Sequence, residues 1–223
     1  MSDGLTLAIE SSTYLASCAL FAPGATERLA EDAVRSRGAE GERLLPAIDA
    51  LLRGVGASPR DLTRVLCGAG PGSFTSLRVG ASIAKGLARA SGASLEAVPS
   101  LLLVVDGEPE RRAPGIYLAV VDAMRGERFA QPVEIGADRL TIIGPVRRIA
   151  VADVRAEAAR LGAMTIGPAD GAALPAQPHA RGALRLAGHV ETVDLAAWEP
   201  EYGRLAEAQA KWEAAHGRPL VRE

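Results

Sequence analysis

Residues 64 to 91 read as a strand, a glycine-rich turn and a helix set end to end. Val65-Leu66-Cys67 is a short apolar run bounded by Gly68, Ala69 and Gly70, the mark of a buried strand. Gly70-Pro71-Gly72 makes a turn, because glycine takes backbone angles that a side chain forbids and proline presets its own. Ser73 falls where a helix N-cap is wanted, its hydroxyl expected to accept from free backbone N–H groups two or three residues on, and Thr75 completes the turn. The spacing predicts a helix over 76–90. Ser76, Gly80, Ala84 and Ala88 recur every four residues as a small-residue stripe, flanked by Val79, Ile83 and Leu87. Arg78, Ser82, Lys85 and Arg89 fall on the opposite, polar side. Gly80 and Gly86 each cost about 1 kcal/mol of helix propensity relative to alanine, so the stripe implies close packing against another backbone.

A strand, a glycine turn and a helix N-terminus also form the geometry used to bind phosphate. The Walker pattern fails, since Gly72 is followed by Ser73 and Phe74 rather than Lys and Ser or Thr. The dinucleotide fingerprint fails on the spacing of Gly68, Gly70 and Gly72, although Glu96 lies near the expected ribose-acid distance, and Pro71 removes an N–H from the loop. Two readings stay open at this point: a structural turn feeding a packing helix, or an anion site.

At 223 residues the chain can bury a substantial core in one large domain or two small ones. Its formal charge of −2 gives no general attraction to nucleic acid, and with 4% aromatic residues it has little material for stacking platforms. The opening Met-Ser-Asp-Gly carries no basic leader, and no apolar run reaches the roughly 20 residues that span a bilayer, so a cytoplasmic protein without membrane contact is expected. Cys18 and Cys67 stand alone within strand-like runs, which predicts buried, reduced thiols rather than a disulfide.

In chain order, strands are predicted at 5–9, 15–21 and 28–34, the first ending at Glu10-Ser11-Ser12-Thr13. A helix at 42–53 places Leu44, Ile48 and Leu51 on one face with Leu45 and Leu52 beside them; Pro46 fits only in its first turn. A strand follows the 76–90 helix at 95–98, and Pro99-Ser100 opens a short helix. The order βββαβαβ is that of a ribonuclease H-like half of an α/β protein. Residues 106–114 form a charged, proline-bearing link, so domains are expected at 1–106 and 107–223. Strands are expected at 116–121, from 128, at 140–143, 148–151 and 164–166, with a helix at 154–161. Residues 167–183 read as a loose excursion, and 201–215 as an amphipathic helix with Leu205, Ala208 and Trp212 on one side.

Two acids end strands before tight turns, Glu10 and Asp122. Two-lobed actin/hexokinase-like proteins hold a metal and phosphates with such a pair, their turn reading Asp-x-Gly-Thr/Ser; here Ser12 takes the glycine place and Thr13 follows. Glu10, Ser12, Thr13 and Asp122 are thus degenerate phosphate-site positions, and solvated acids at strand ends are the competing reading. His179, His189 and His216 lack metal-ligand spacing, and Ser73 has no nucleophile elbow, so no catalytic residue, metal or cofactor is expected.

The stretch Gly70-Pro71-Gly72-Ser73-Phe74-Thr75-Ser76-Leu77-Arg78-Val79-Gly80 resembles the TsaB (YeaZ) family. Leu7–Thr13, Glu42–Pro46, Val121-Asp122-Ala123 with Gly126-Glu127, and Pro200–Arg204 are similar to other segments of that family. Ser76 replaces the usual glycine, Glu40 and Gly41 stand where His and Ser are common, and Met124 interrupts an Asp-Ala-Arg pattern. The resemblance implies an actin/hexokinase-like (ASKHA) fold of two ribonuclease H-like lobes, the second reduced. It implies a non-catalytic scaffold that binds TsaD, with TsaE, for threonylcarbamoyl transfer to the adenosine next to the anticodon of tRNA. Contact with tRNA would come only through the complex, and a homodimer would form when the chain is alone. Pairing is expected through Leu44, Leu45, Ile48, Leu51, Leu52, Ser76, Gly80, Ala84, Leu87 and Ala88, on helices that present one joint surface. The alternative is a catalytic ASKHA enzyme, a TsaD-like threonylcarbamoyltransferase or a sugar-kinase-like phosphotransferase.

Overall fold

The computed structural model describes residues 4–25, 28–35, 43–137, 139–168, 172–203 and 216. The opening run of alternating apolar residues forms β1 (Leu5–Glu10), β2 (Leu15–Phe21) and β3 (Arg28–Arg35), an antiparallel meander. After α1 (Leu44–Gly54) come β4 (Leu62–Gly68), α2 (Phe74–Ser91) and β5 (Ser94–Val98), with β4 parallel to both β1 and β5. The crossover through α2 is what a parallel pair requires, since a tight hairpin cannot join parallel strands. The first sheet therefore has the order β3-β2-β1-β4-β5.

Alternation along β1 gives this sheet two different faces. Leu7 and Ile9, with Cys18, Leu20, Val65 and Leu95, meet α1 and α2 in one apolar cluster. Ala8, with Ala19, Phe21 and Leu66, faces the opposite way, onto α3 (Ser100–Asp106). Every residue of α3 is buried, as a helix with apolar residues all round demands. Cys18 and Cys67 are buried and free. Each lies opposite Ile9 from its own side of β1, so their Cα atoms stand about two strand spacings, roughly 9–10 Å, apart. A disulfide needs less than about 7 Å.

Beyond the link at 107–114 the second sheet is made of β6 (Gly115–Asp122), β7 (Glu127–Ile135), β8 (Leu140–Ile142), β9 (Arg147–Ala150), β10 (Met164–Gly167) and β11 (Leu174–Pro175), with α4 (Val154–Leu161) before β10. Its order β8-β7-β6-β10-β11 repeats the pattern of the first sheet in smaller form. One face, with Tyr117, Ala119, Val121 and Val133, closes on α3, so the main core lies between the two sheets. The other face receives Val154 and Ala158 of α4. This is the two-lobed actin/hexokinase-like architecture, its second lobe reduced.

Several expectations need correction. Residues 167–183, read as a loose excursion, contain β11 and the start of a 3-10 helix, Ala180–His189. That helix packs back on the first lobe, where Ala180 N–H donates to Ser17 Oγ at 3.0 Å. The chain then adds β12 (Glu191–Thr192) to β5 in the first sheet. Residues 201–203, the predicted start of a C-terminal helix, are not helical; the rest of that helix, including Leu205, Ala208 and Trp212, lies outside the described residues, as do Glu40, Gly41 and Glu42. Among the described residues no helix is long and apolar enough to cross a membrane.

Candidate functional site

The strand-end acid, the glycine turn and the start of α3 converge on one point. Alternation along β1 turns Glu10 away from α1 and α2, toward α3. Its Oε1 accepts from Ser12 N–H at 2.5 Å and its Oε2 from Ser100 Oγ at 2.8 Å. Ser100 Oγ in turn accepts from Gly70 N–H at 3.0 Å. Gly68 makes room for this network: a Cβ there would lie 2.0 Å from Glu10 Oε2. Glu10 is 0% exposed, so the reading of a solvated acid does not hold for it. Burial raises its pKa above the ordinary carboxylate range, and the hydrogen bonds from Ser12 and Ser100 offset part of that rise.

The turn that would hold a phosphate is closed by the glycine loop. Ser73 N–H donates to the Ser12 carbonyl at 2.7 Å, and Gly72 lies so close that a Cβ would stand 2.2 Å from that oxygen. Gly70 takes φ +88, and its bond to Pro71 is cis. The hydroxyls of Ser11 and Ser12 are buried without a partner among the described residues. Ser73 does occupy the N-cap position, but its hydroxyl makes no capping bond and instead accepts from Ser76 Oγ at 3.1 Å. Its ψ of 116 leaves α2 beginning at Phe74, earlier than the spacing predicted. Thr75 is exposed in that first turn.

Asp122 stands differently. Its side chain is 47% exposed, it binds Arg128 at 2.6 Å, and it accepts from Met124 N–H at 3.1 Å. The turn it steadies holds Met124 and Arg125 at φ 62 and 53, left-handed values that cost a non-glycine residue about 1 kcal/mol or more each. Glu10 and Asp122 thus serve separate local networks. Glu96, the acid at the ribose distance, is held by Arg64 through a bidentate pair of 2.9 and 2.6 Å, which pulls its pKa down. Among the described residues no group of three or more His, Cys, Asp or Glu side chains could hold a metal.

A segment that no residue pattern singled out as a cover lies over the glycine loop. Glu201 N–H donates to the Ala69 carbonyl at 2.8 Å, and the Tyr202 ring meets Phe74 with centroids 4.6 Å apart. Gly203, at φ +64, fits between Phe129 and Pro71. Upstream, Lys85 Nζ donates to the Trp198 carbonyl at 2.6 Å, so Lys85 is tied into this cover rather than solvated. Ser100 was also missed as a partner of Glu10; the only signal was its place beside Pro99 at a helix start.

The residues expected to pair with a partner divide into two groups. Leu44, Ile48 and Leu52 are buried in the core of α1, and Ser76, Gly80, Ala84 and Ala88 are buried along α2. The small-residue stripe faces this chain's own sheet: a Cβ on Gly80 would lie 2.1 Å from Ser11 Oγ. This placement differs from the expected outward surface, because the apolar face of the sheet must be covered by these same helices. Leu45 is 46% exposed, while Leu51 and Leu87 are half-buried.

Comparison with known proteins adds one family model, two sequence relatives and two solved structures. A family model described as TsaD, tRNA N6-adenosine threonylcarbamoyltransferase, matches residues 38–169. The tRNA threonylcarbamoyladenosine biosynthesis protein TsaB of Bacillus subtilis is 29% identical over 92% of this chain and 96% of its own length. TsaB of Escherichia coli is 33% identical over 55% of this chain, which spans 52% of that protein. Among solved structures, YeaZ from Pseudomonas aeruginosa superposes with a TM-score of 0.70 at 21% identity, covering 89% of this chain and 99% of its own. A second structure, described as similar to that YeaZ, has a TM-score of 0.71 at 24% identity, with 90% and 100% covered. At these identities the two structures show the fold alone.

Proposed function

The chain belongs to the TsaB (YeaZ) family, and from that premise we propose that it serves tRNA threonylcarbamoyladenosine biosynthesis as a non-catalytic scaffold for TsaD. The observation that carries the reading is the closed turn at Glu10–Thr13. The loop at Gly72 and Ser73 occupies the space against Ser12 where a catalytic relative of this fold would need room for phosphate. A buried Glu10, committed to Ser12 and Ser100, is likewise engaged in holding the joint together.

In this reading TsaD docks on the helical face formed by α1 and α2, with TsaE joining the complex and tRNA reached only through it. A second copy takes the TsaD place when TsaD is absent, in the cytoplasm, and the chain divides into lobes near residue 106. The accessible part of the predicted surface, Leu45 with Leu51 and Leu87, supplies the apolar contact.

Leu45→Glu tests the reading. It should leave the chain folded by circular dichroism, and burying its carboxylate in an apolar contact should weaken co-elution with TsaD at least a hundredfold, several kcal/mol. Wild-type co-elution would move the interface elsewhere. Turnover or tight ATP binding by the purified chain alone would favour a catalytic ASKHA enzyme instead.

A further inference from the structure

The segment that covers the glycine loop reaches from one lobe to the other. Its approach is tied to the first sheet, where Val193 N–H donates to the Leu95 carbonyl at 3.0 Å and Asp194 Oδ1 accepts from Ala196 and Ala197 N–H. Trp198 packs against the first-lobe cluster, and its carbonyl accepts from Lys85 Nζ of α2 at 2.6 Å. A few residues on, Gly203 meets β7 of the second lobe: a Cβ there would lie 2.5 Å from two ring carbons of Phe129 and 3.0 Å from Pro71 Cβ. One short segment therefore touches both lobes and the glycine loop.

The loop has little side-chain packing of its own. From Gly68 to Ser73 it carries only the small side chains of Ala69, Pro71 and Ser73, and backbone groups hold it down. Gly70 N–H donates to Ser100 Oγ, Ser73 N–H to the Ser12 carbonyl, and the Ala69 carbonyl accepts from Glu201 N–H. The Glu201 carbonyl also seats on Gly70, where a Cβ would come within 2.3 Å of it. Glu199, Glu201 and Gly203 are exposed and Tyr202 is half-buried, so lifting this stretch uncovers little apolar surface. Sparse apolar contacts and exposed backbone are the marks of a unit that opens well before the global fold does.

We propose that residues 198–203 form a clasp across the mouth of the two lobes. While it is seated, the glycine loop stays shut over the Ser12 turn; its release lets the loop lift with both lobes still folded. Gly203 is the catch. Its φ of +64 and its closeness to Phe129 both exclude a side chain, so a larger residue there unseats the clasp.

The test is amide hydrogen exchange of the purified chain at pH 7, read at Gly70, Ser73 and Glu201 against the amides of the central strands β4 and β6. Gly203→Val should speed exchange at the three loop and clasp amides at least tenfold and leave β4 and β6 within twofold. Tyr202→Ser, which removes the ring that meets Phe74, should speed the same three at least threefold, and it decides alone if Gly203→Val does not fold. Unchanged exchange at Gly70 and Ser73 would mean that the loop is held without the clasp. An equal rise in β4 and β6 would mean that the segment opens only with the global fold. Either result overturns the proposal.

Discussion

Glu10 and Asp122 end corresponding strands of the two lobes, β1 and β6, and each is followed by a tight turn. Their fates differ. Glu10 is sealed between the first sheet and α3, holding Ser12 and Ser100. Asp122 stays half in solvent and steadies its own hairpin through Met124 and Arg128. The contrast shows that a repeated strand-and-turn plan does not give two equivalent acids. What matters is the element that covers the strand end. In the first lobe α3 and the loop at 68–73 close over it; in the second the hairpin projects outward.

The strongest way to break the contrast is to crowd the sealed acid. Gly68→Val places a side chain where 2.0 Å separates the ideal Cβ from Glu10 Oε2, with Ser100 Oγ at 2.9 Å. It should cost more than about 3 kcal/mol in urea unfolding, by overpacking and by displacing a buried carboxylate from its donors. A loss under 1 kcal/mol would mean the joint yields easily.

Removing the acid itself comes next. Glu10→Ala leaves Ser12 N–H and Ser100 Oγ–H without their acceptor in a buried place, a loss of about 2 to 4 kcal/mol measured the same way. The matching change in the other lobe, Asp122→Ala, breaks a half-exposed pair and should cost no more than about 1 kcal/mol. Equal losses would erase the distinction between the two acids.

The pH dependence sharpens it further. Because burial raises the Glu10 pKa above 4.5, the native state holds this proton after the unfolded chain has released it. Its contribution to stability is full below the unfolded pKa and is lost as pH rises through the folded value. Glu10→Gln should remove that decline, seen as a flatter stability curve above pH 4.5. His179, pushed down to about 4 by burial, has the opposite sign: between about 4 and 6.5 the unfolded chain binds more protons, so stability rises with pH there. His179→Asn should flatten that separate window and leave the Glu10 effect in place.

The smallest expected effect concerns α1. Leu45→Glu should change the stability of the free chain by less than about 0.5 kcal/mol, since the side chain is largely exposed. Leu52→Glu, which looks equivalent on a helical wheel, should unfold the chain, because Leu52 is 1% exposed. The pair therefore separates loss of a partner from loss of the fold, which two substitutions chosen by periodicity alone would confuse.

The order of strands and helices from β1 to β10, the turn at 70–73 and the first-turn place of Pro46 were legible in the residues, because alternation, helical period and turn chemistry are local. Residues 70–80 also carried enough local pattern to point to the family. Three features depended on which distant segment covers each face. The stripe Ser76/Gly80/Ala84/Ala88 announces close packing, and only the fold shows that its neighbours are Ile9 of β1 and Ser11 just after it rather than another chain. Glu10 is an acid at a strand end in any reading; its burial depends on α3, about 90 residues later, whose Ser100 reaches it. The hydrogen-bonded contact of His179 with Arg181 arises where a 3-10 helix that periodicity did not announce packs on the first lobe. Period tells which residues share a face, and burial of that face is settled by long-range packing, a sum over neighbours far apart in the chain.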